Sequence, residues 1–282
     1  DCYVYDSEGK KYIDFESGVW CTNIGHGHKK FLKQIKKQIK QSIHHGYFFR
    51  NKYAEQLSIK LQDLIAYENG ASVFLSSGSE AVNLSISLAR HLSGKKKILK
   101  INNSYLSAFG FGQISEDNES IINIQYNDID SISGIDYNEI AAFVTEIGGA
   151  SLEIVKFPDK NFMDQLITKC RENNCFIIAD EVTTGMGRTG KWFGFQHYDF
   201  IPDMVVAGKG IGNGYPVSSL TVNSVIAEQF ENNSFRYAQS HQNDPLGCSI
   251  ALKVIEIIEK ENLSERAKIT GNYFKTKLDN LK

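Results

Sequence analysis

Short apolar runs alternating with helical patterns constrain this chain more than any other feature. The runs are Ser72–Leu75, Lys97–Ile101, Ile121–Ile124, Ala141–Thr145, Cys175–Ala179, Met204–Ala207 and Val217–Val222. Each has the length of a strand and reads as buried on both faces. Helical spacing fills the gaps: Ala81, Leu84, Leu88 and Leu92, then Phe162–Arg171, Ser224–Glu231 and Leu246–Glu259. Strands and helices in alternation predict an α/β domain with a mainly parallel sheet flanked by helices. Such sheets bind their ligand at the carboxyl ends of the strands.

The first seventy residues follow other patterns. Asp1–Phe15 reads as a hairpin about Asp6-Ser7-Glu8-Gly9. Phe31, Ile35, Ile39 and Ile43 recur every four residues and predict an amphipathic helix, with His44 and His45 at its negative end. A second helix is expected over Tyr53–Ile65. A net charge of −2 gives no reason to expect a nucleic-acid or anionic-membrane partner. No apolar run is long enough to span a bilayer. Five cysteines, an odd number without a CxxC pair, fit reduced thiols in the cytoplasm better than a disulfide framework or a zinc knuckle. His26 and His28 have the look of a metal pair, but a turn near the site is the better reading.

Chemistry concentrates at three strand ends. Val205-Val206-Ala207-Gly208-Lys209 runs into a turn with glycine at every second position, and Phe176-Ile177-Ile178-Ala179 ends in Asp180. Most lysines are solvated, and Asp180 taken alone could be a cap or turn residue. A lysine and an aspartate at buried strand ends are also what pyridoxal 5'-phosphate (PLP) requires. The lysine amine forms a Schiff base, and the acid holds a proton on the pyridine nitrogen. Val182 could pack on one ring face. Ser76-Ser77-Gly78-Ser79-Glu80-Ala81 joins a strand to a helix, which suits either ordinary capping or a phosphate. Lys209 is followed by Gly210, so the glycines do not form a P-loop.

These blocks resemble the class III (ω-type) aminotransferases, which are fold-type I PLP enzymes. The resemblance rests on Asp180-Glu181-Val182-Thr183-Thr184-Gly185-Met186-Gly187-Arg188-Thr189-Gly190-Lys191, Pro202-Asp203, and Gly208 through Pro216. Ser77–Ala81 and the segment from Asp6 to Gly27 add to it. It implies a PLP-dependent aminotransferase that moves an amino group from an amine or amino acid to a keto acid or aldehyde. Lys209 would be the aldimine lysine and proton shuttle, with Asp180 on the ring nitrogen and Val182 behind the ring. Ser77, Gly78 and Ser79 would form the phosphate loop, and Glu146 matches an active-site glutamate. Tyr105 would stack on the ring or be a surface tyrosine. Trp20 would line the substrate pocket or be a core residue. Ser240 would reach the phosphate of a neighbouring subunit, which implies a homodimer with shared sites.

Departures accompany the match. Thr183 replaces a frequent glutamine, Leu106-Ser107 replaces His-Gly after Tyr105, and Ile147 replaces the proline after Glu146. The family continues past residue 282 into a small domain that often supplies a carboxylate-binding arginine. The expected organisation is an amino-terminal segment over 1–50, a PLP-binding large domain over 51–250 and a connecting helix over 251–282. The chain is read as truncated, partial or compact. Class III relatives also include aminomutases and decarboxylases, and a non-catalytic fragment is the remaining alternative.

Overall fold

The computed structural model describes residues 1–46, 48–112, 119–148, 157–232 and 234–281. The chain opens with an antiparallel ribbon, β1 (Tyr3–Tyr5) and β2 (Lys11–Ile13). Asp6 closes its turn by accepting from the amides of Glu8 and Lys10. Then come α1 (Ser17–Trp20), a single left-handed turn, and the helices α2 (Lys29–Gln38) and α3 (Lys52–Ile65). The main domain runs β3 (Ala71–Leu75), α4 (Gly78–Ser93), β4 (Lys97–Ile101), β5 (Ile121–Ile124), α5 (Ile129–Ser133), β6 (Ile140–Glu146), α6 (Lys160–Glu172), β7 (Phe176–Asp180), β8 (Met204–Ala207), β9 (Ser218–Val222) and α7 (Ser224–Glu231). Two helices follow, α8 (Pro245–Lys260) and α9 (Leu263–Asp279).

The seven main strands form one sheet in the order β3-β9-β8-β7-β6-β4-β5. Its centre, from β5 to β8, is parallel, while β9 runs antiparallel to both β8 and β3. The link from Gly208 to Val217 is too short to hold a crossover helix, so the chain can only turn back. Side chains alternate across the sheet. Leu99, Phe143, Ile177, Ala179, Val205 and Ala207 pack with α3, α6 and α8. Ile98, Ala142, Val144, Ile178, Met204 and Val206 pack with α4. Burying both faces is why these strands carry unbroken apolar runs.

Two sequence-based expectations need correction. The first amphipathic helix ends at Gln38, because the buried Gln38 side chain donates to the Ser42 carbonyl and turns the chain. Ile43, His44 and His45 therefore lie beyond it, and His44 bonds Asp244 instead of a helix end. The stretch over 251–282 is not one helix. It holds the end of α8 and all of α9, separated at Asn262, whose φ of 53° is left-handed.

Candidate active site

Sheet parity brings the acidic residues together. Glu146 and Asp180 are register partners at the carboxyl ends of β6 and β7. They follow Val144 and Ile178, so both face α4. That helix begins at the same place, capped by Ser77 in a capping box with Glu80. Glu80 Oε2 accepts from the amides of Ser76 and Ser77 at 2.9 and 2.8 Å. The amides of Gly78 and Ser79 belong to the first helical turn, which has no intrahelical acceptor to offer them.

Asp180 is 3% exposed, and its Oδ1 accepts from the Val182 amide at 3.0 Å. Burial, and then the charge of Glu146, push its carboxyl well above the usual range, against the pull of Lys209. Glu146 accepts from the Tyr105 amide at 3.3 Å and from the Thr183 hydroxyl at 3.5 Å. Lys209 opens a 3₁₀ turn one glycine after β8, with a φ of 42°. Burial pushes its ammonium down, offset by Asp180, Cys21 and Glu146, while the Arg188 charge pushes it further down. Its Nζ lies 5.0 Å from the centroid of the Trp20 ring. The Val182 side chain packs against two neighbouring glycines. A Cβ on Gly78 would meet its methyls at 2.7 and 3.0 Å, and one on Gly208 at 3.2 and 3.3 Å.

These groups surround a cavity of about 330 Å³. Ser77, Gly78, Ser79, Tyr105, Glu146, Asp180, Val182, Thr183 and Lys209 all line it. Trp20 reaches Lys209 from beside the cavity. Ser240 is exposed and lies outside the lining of this protomer's cavity. Cys21, Leu106 and the run Tyr215-Pro216-Val217 also line it, although sequence reasoning gave them no role. Cys21 follows Trp20 and Tyr215-Pro216 closes the glycine-rich block, so position alone could have raised them. Arg188 was likewise passed over, although it sits inside the Asp180–Lys191 block. His26 and His28 do not pair. His26 bonds Asp14 at 2.6 Å and His28 bonds Glu261 at 3.4 Å. His44, His241 and Asp244 converge within 4.8 Å, with each imidazole bonded to the one carboxylate.

The family model for class III aminotransferases matches residues 1–107 and 109–282. The chain belongs to that family. Among proteins similar to this aminotransferase is the acetylornithine aminotransferase of Aquifex aeolicus, 31% identical, the match covering 99% of this chain and 77% of that protein. The [LysW]-aminoadipate semialdehyde/glutamate semialdehyde transaminase of Sulfurisphaera tokodaii is 30% identical over 97% of this chain and 72% of its own. Among solved structures, the acetylornithine aminotransferase of Elizabethkingia anophelis superposes with a TM-score of 0.85 at 29% identity. That match covers 99% of this chain and 71% of the other. The fold is that of the fold-type I transaminases, and the protein is a PLP-dependent aminotransferase.

The transaminase cavity fits PLP on its own geometry. The first-turn amides of α4 suit a phosphate dianion. The approach at Gly78 leaves no room for a Cβ beside Val182. The buried Asp180, beside a second carboxylate, calls for a cation, which a protonated pyridine nitrogen is. Burial shifts Lys209 toward its deprotonated, nucleophilic form.

Proposed function

We propose that Lys209, Asp180 and the Gly78–Ser79 amides are the working groups of this transaminase. Its amino donor, in this reading, is an amino acid with an acylated α-amine and a free amine at the end of its side chain. The acetylornithine named for the relative at 31% identity supports that donor class, and the semialdehydes named for the relative at 30% fit exchange of an amine and an aldehyde at a side-chain end. Bound PLP supplies an electron-deficient ring that stabilises negative charge on the substrate carbon. Lys209 Nζ is the covalent attachment point for the cofactor. With the group bound, the same Nζ would be the base that moves the proton from the substrate carbon. Asp180 holds the proton on the ring nitrogen, and Val182 backs the ring. Gly78 and Ser79 hold the phosphate, with Ser77 fixing the turn that presents them. Glu146 and Thr183 form the wall beside Asp180, Tyr105 covers the open ring face, and Trp20 borders the substrate.

The observation that carries this reading is a buried acid and a depressed lysine facing one cavity at adjacent strand ends. Reconstitution with PLP tests it. Wild type should show an absorbance band at roughly 410–430 nm and convert N-acetylornithine with a keto acid. Lys209→Ala should lose both, and a variant that turned over like wild type would end the proposal.

The same reading makes the enzyme a cytoplasmic homodimer in which Ser240 serves the partner's site. Phe15, Phe48 and Phe49 support a covering subunit, being 80%, 85% and 70% exposed. The free cysteines suit a reducing compartment. Among the described residues no helix is long and apolar enough to cross a membrane. Residues 1–50, 51–250 and 251–282 would be the arm, the cofactor domain and the connection to further chain. A fully active monomer in light scattering would remove Ser240 from the site.

A further inference from the structure

The turn α1 holds a conformation that L-residues avoid. Ser17, Gly18, Val19 and Trp20 have φ values of 55°, 60°, 57° and 62°. These are left-handed helical values, which crowd every Cβ against the following carbonyl. The turn is nevertheless fully wound, with the Trp20 amide bonded to the Glu16 carbonyl and the Cys21 amide to that of Ser17, both at 2.9 Å. Asp14 fixes its start, accepting from the amides of Glu16 and Ser17 at 3.0 and 2.8 Å. Arg188 fixes its end. The guanidinium donates to the Trp20 carbonyl and to Asn23 Oδ1. Asn23 in turn donates to the Met186 carbonyl at 3.1 Å. It also presses on the residue after Lys209, since a Cβ on Gly210 would lie 2.4 Å from Asn23 Nδ2. Strain of this kind persists only where the surroundings impose it, and it gathers at functional sites. Here its product is the Trp20 ring 5.0 Å from Lys209 Nζ.

We propose that Arg188 is a positioning residue of this transaminase. By holding the Trp20 carbonyl it keeps a left-handed turn wound and the indole seated over the Lys209 amine. The proposal rests on the reading of Lys209 as the reactive amine. A second feature points the same way. Arg188 Nε is buried with no hydrogen-bond partner among the described residues. An arginine kept at that desolvation penalty is there for the carbonyl it grips and for its charge. The charge lies close enough to Lys209 to disfavour the ammonium form.

The chain has two tryptophans, so Trp192→Phe leaves Trp20 as the only one. In that background, without cofactor, acrylamide quenching reads the shielding of Trp20. Arg188→Met should shift the emission to the red and raise quenching toward that of the unfolded chain, with helical content unchanged. Arg188→Lys, which keeps a donor and a charge, should fall between. In the PLP-loaded enzyme Arg188→Met should lower kcat by about tenfold to a hundredfold, the scale of a misplaced reacting group, with little change in donor KM. A merely structural arginine would lower the melting temperature and leave Trp20 shielded in the folded protein. Equal quenching in Arg188→Met and its parent overturns the clamp. Should Arg188→Met fail to fold, Asn23→Ala removes one of the two acceptors and is read the same way. Turnover by Lys209→Ala would instead sink the reading of Lys209 and leave the cofactor-free quenching comparison intact.

Discussion

Gly78 has no spare volume around it. It stands in the first turn of α4, and the nearest atoms to an added methyl are the two methyls of Val182 at 2.7 and 3.0 Å. Gly208 crowds the same two methyls at 3.2 and 3.3 Å from beside Gly78, whose Cα would lie 3.5 Å from a Cβ on Gly208. In Gly78→Ala the overpacking of about 1–3 kcal/mol outweighs a helix-propensity gain of at most about 1 kcal/mol. The melting temperature of the cofactor-free protein should therefore fall by no more than a few degrees. PLP affinity should fall about tenfold or more, since 1.4 kcal/mol of misfit is enough for that. Absorbance titration checks it, and unchanged affinity would mean that Val182 does not back the ring. The sequence shows Gly78 and Val182 each as a site candidate. It does not show that they touch, because that contact depends on where α4 lands on the sheet. Arg188 was illegible for the same reason, its partners Trp20 and Asn23 lying far away in the chain.

At the scale of elements, Asp203 ties the amino ends of the central strands together. Its carboxylate takes both oxygens to Arg171 of α6 at 2.7 Å, accepts from the Ile177 amide of β7 at 2.7 Å, and accepts from Asn223 after β9 at 3.2 Å. Asp203→Ala leaves the buried Ile177 amide without its acceptor, while the solvated Arg171 guanidinium keeps the Ile201 carbonyl, and should cost about 1–3 kcal/mol of stability. Urea unfolding measures this, and a loss below about 1 kcal/mol would make the cluster an ordinary surface pair. The working groups sit at the opposite ends of the same strands. The folded variant should thus keep its kcat, which separates this lesion from one at Asp180. Apolar runs made the strands and most helices legible in advance. The direction of β9 was not, since it follows from the short Gly208–Val217 link and not from any periodicity. The end of α2 was missed because one buried side-chain bond, from Gln38 to the Ser42 carbonyl, outweighs a spacing that continues to Ile43.

For the molecule as a whole, two buried acids couple folding to pH. Glu181 is 1% exposed and accepts from the Thr184 hydroxyl and the amides of Gly194 and Phe195 at 2.6, 2.7 and 2.7 Å. These three donors do not offset its desolvation, and the carboxyl is pushed up to about 7 from 4.5. Asp180 is shifted in the same direction. A folded pKa above the unfolded one means that the native state keeps a proton the unfolded state has released. The contribution is fully present below the unfolded pKa and is lost as pH rises through the folded one. Between about pH 4.5 and 7 the Glu181 share amounts to about 3 kcal/mol, and it is constant above that window. The Asp180 share behaves differently, because PLP gives that carboxylate a cation and so removes the reason to hold a proton. Urea titrations at pH 5, 6 and 8 should thus show stability falling with pH in the cofactor-free enzyme, and less steeply with PLP bound. Glu181→Gln should be weaker at every pH, since its amide cannot accept from all three donors, and should lose the Glu181 part of the slope in both states. Identical slopes with and without PLP would mean that Asp180 is not the cofactor's partner. A Glu181→Gln slope equal to that of wild type would locate the coupling elsewhere in the protein.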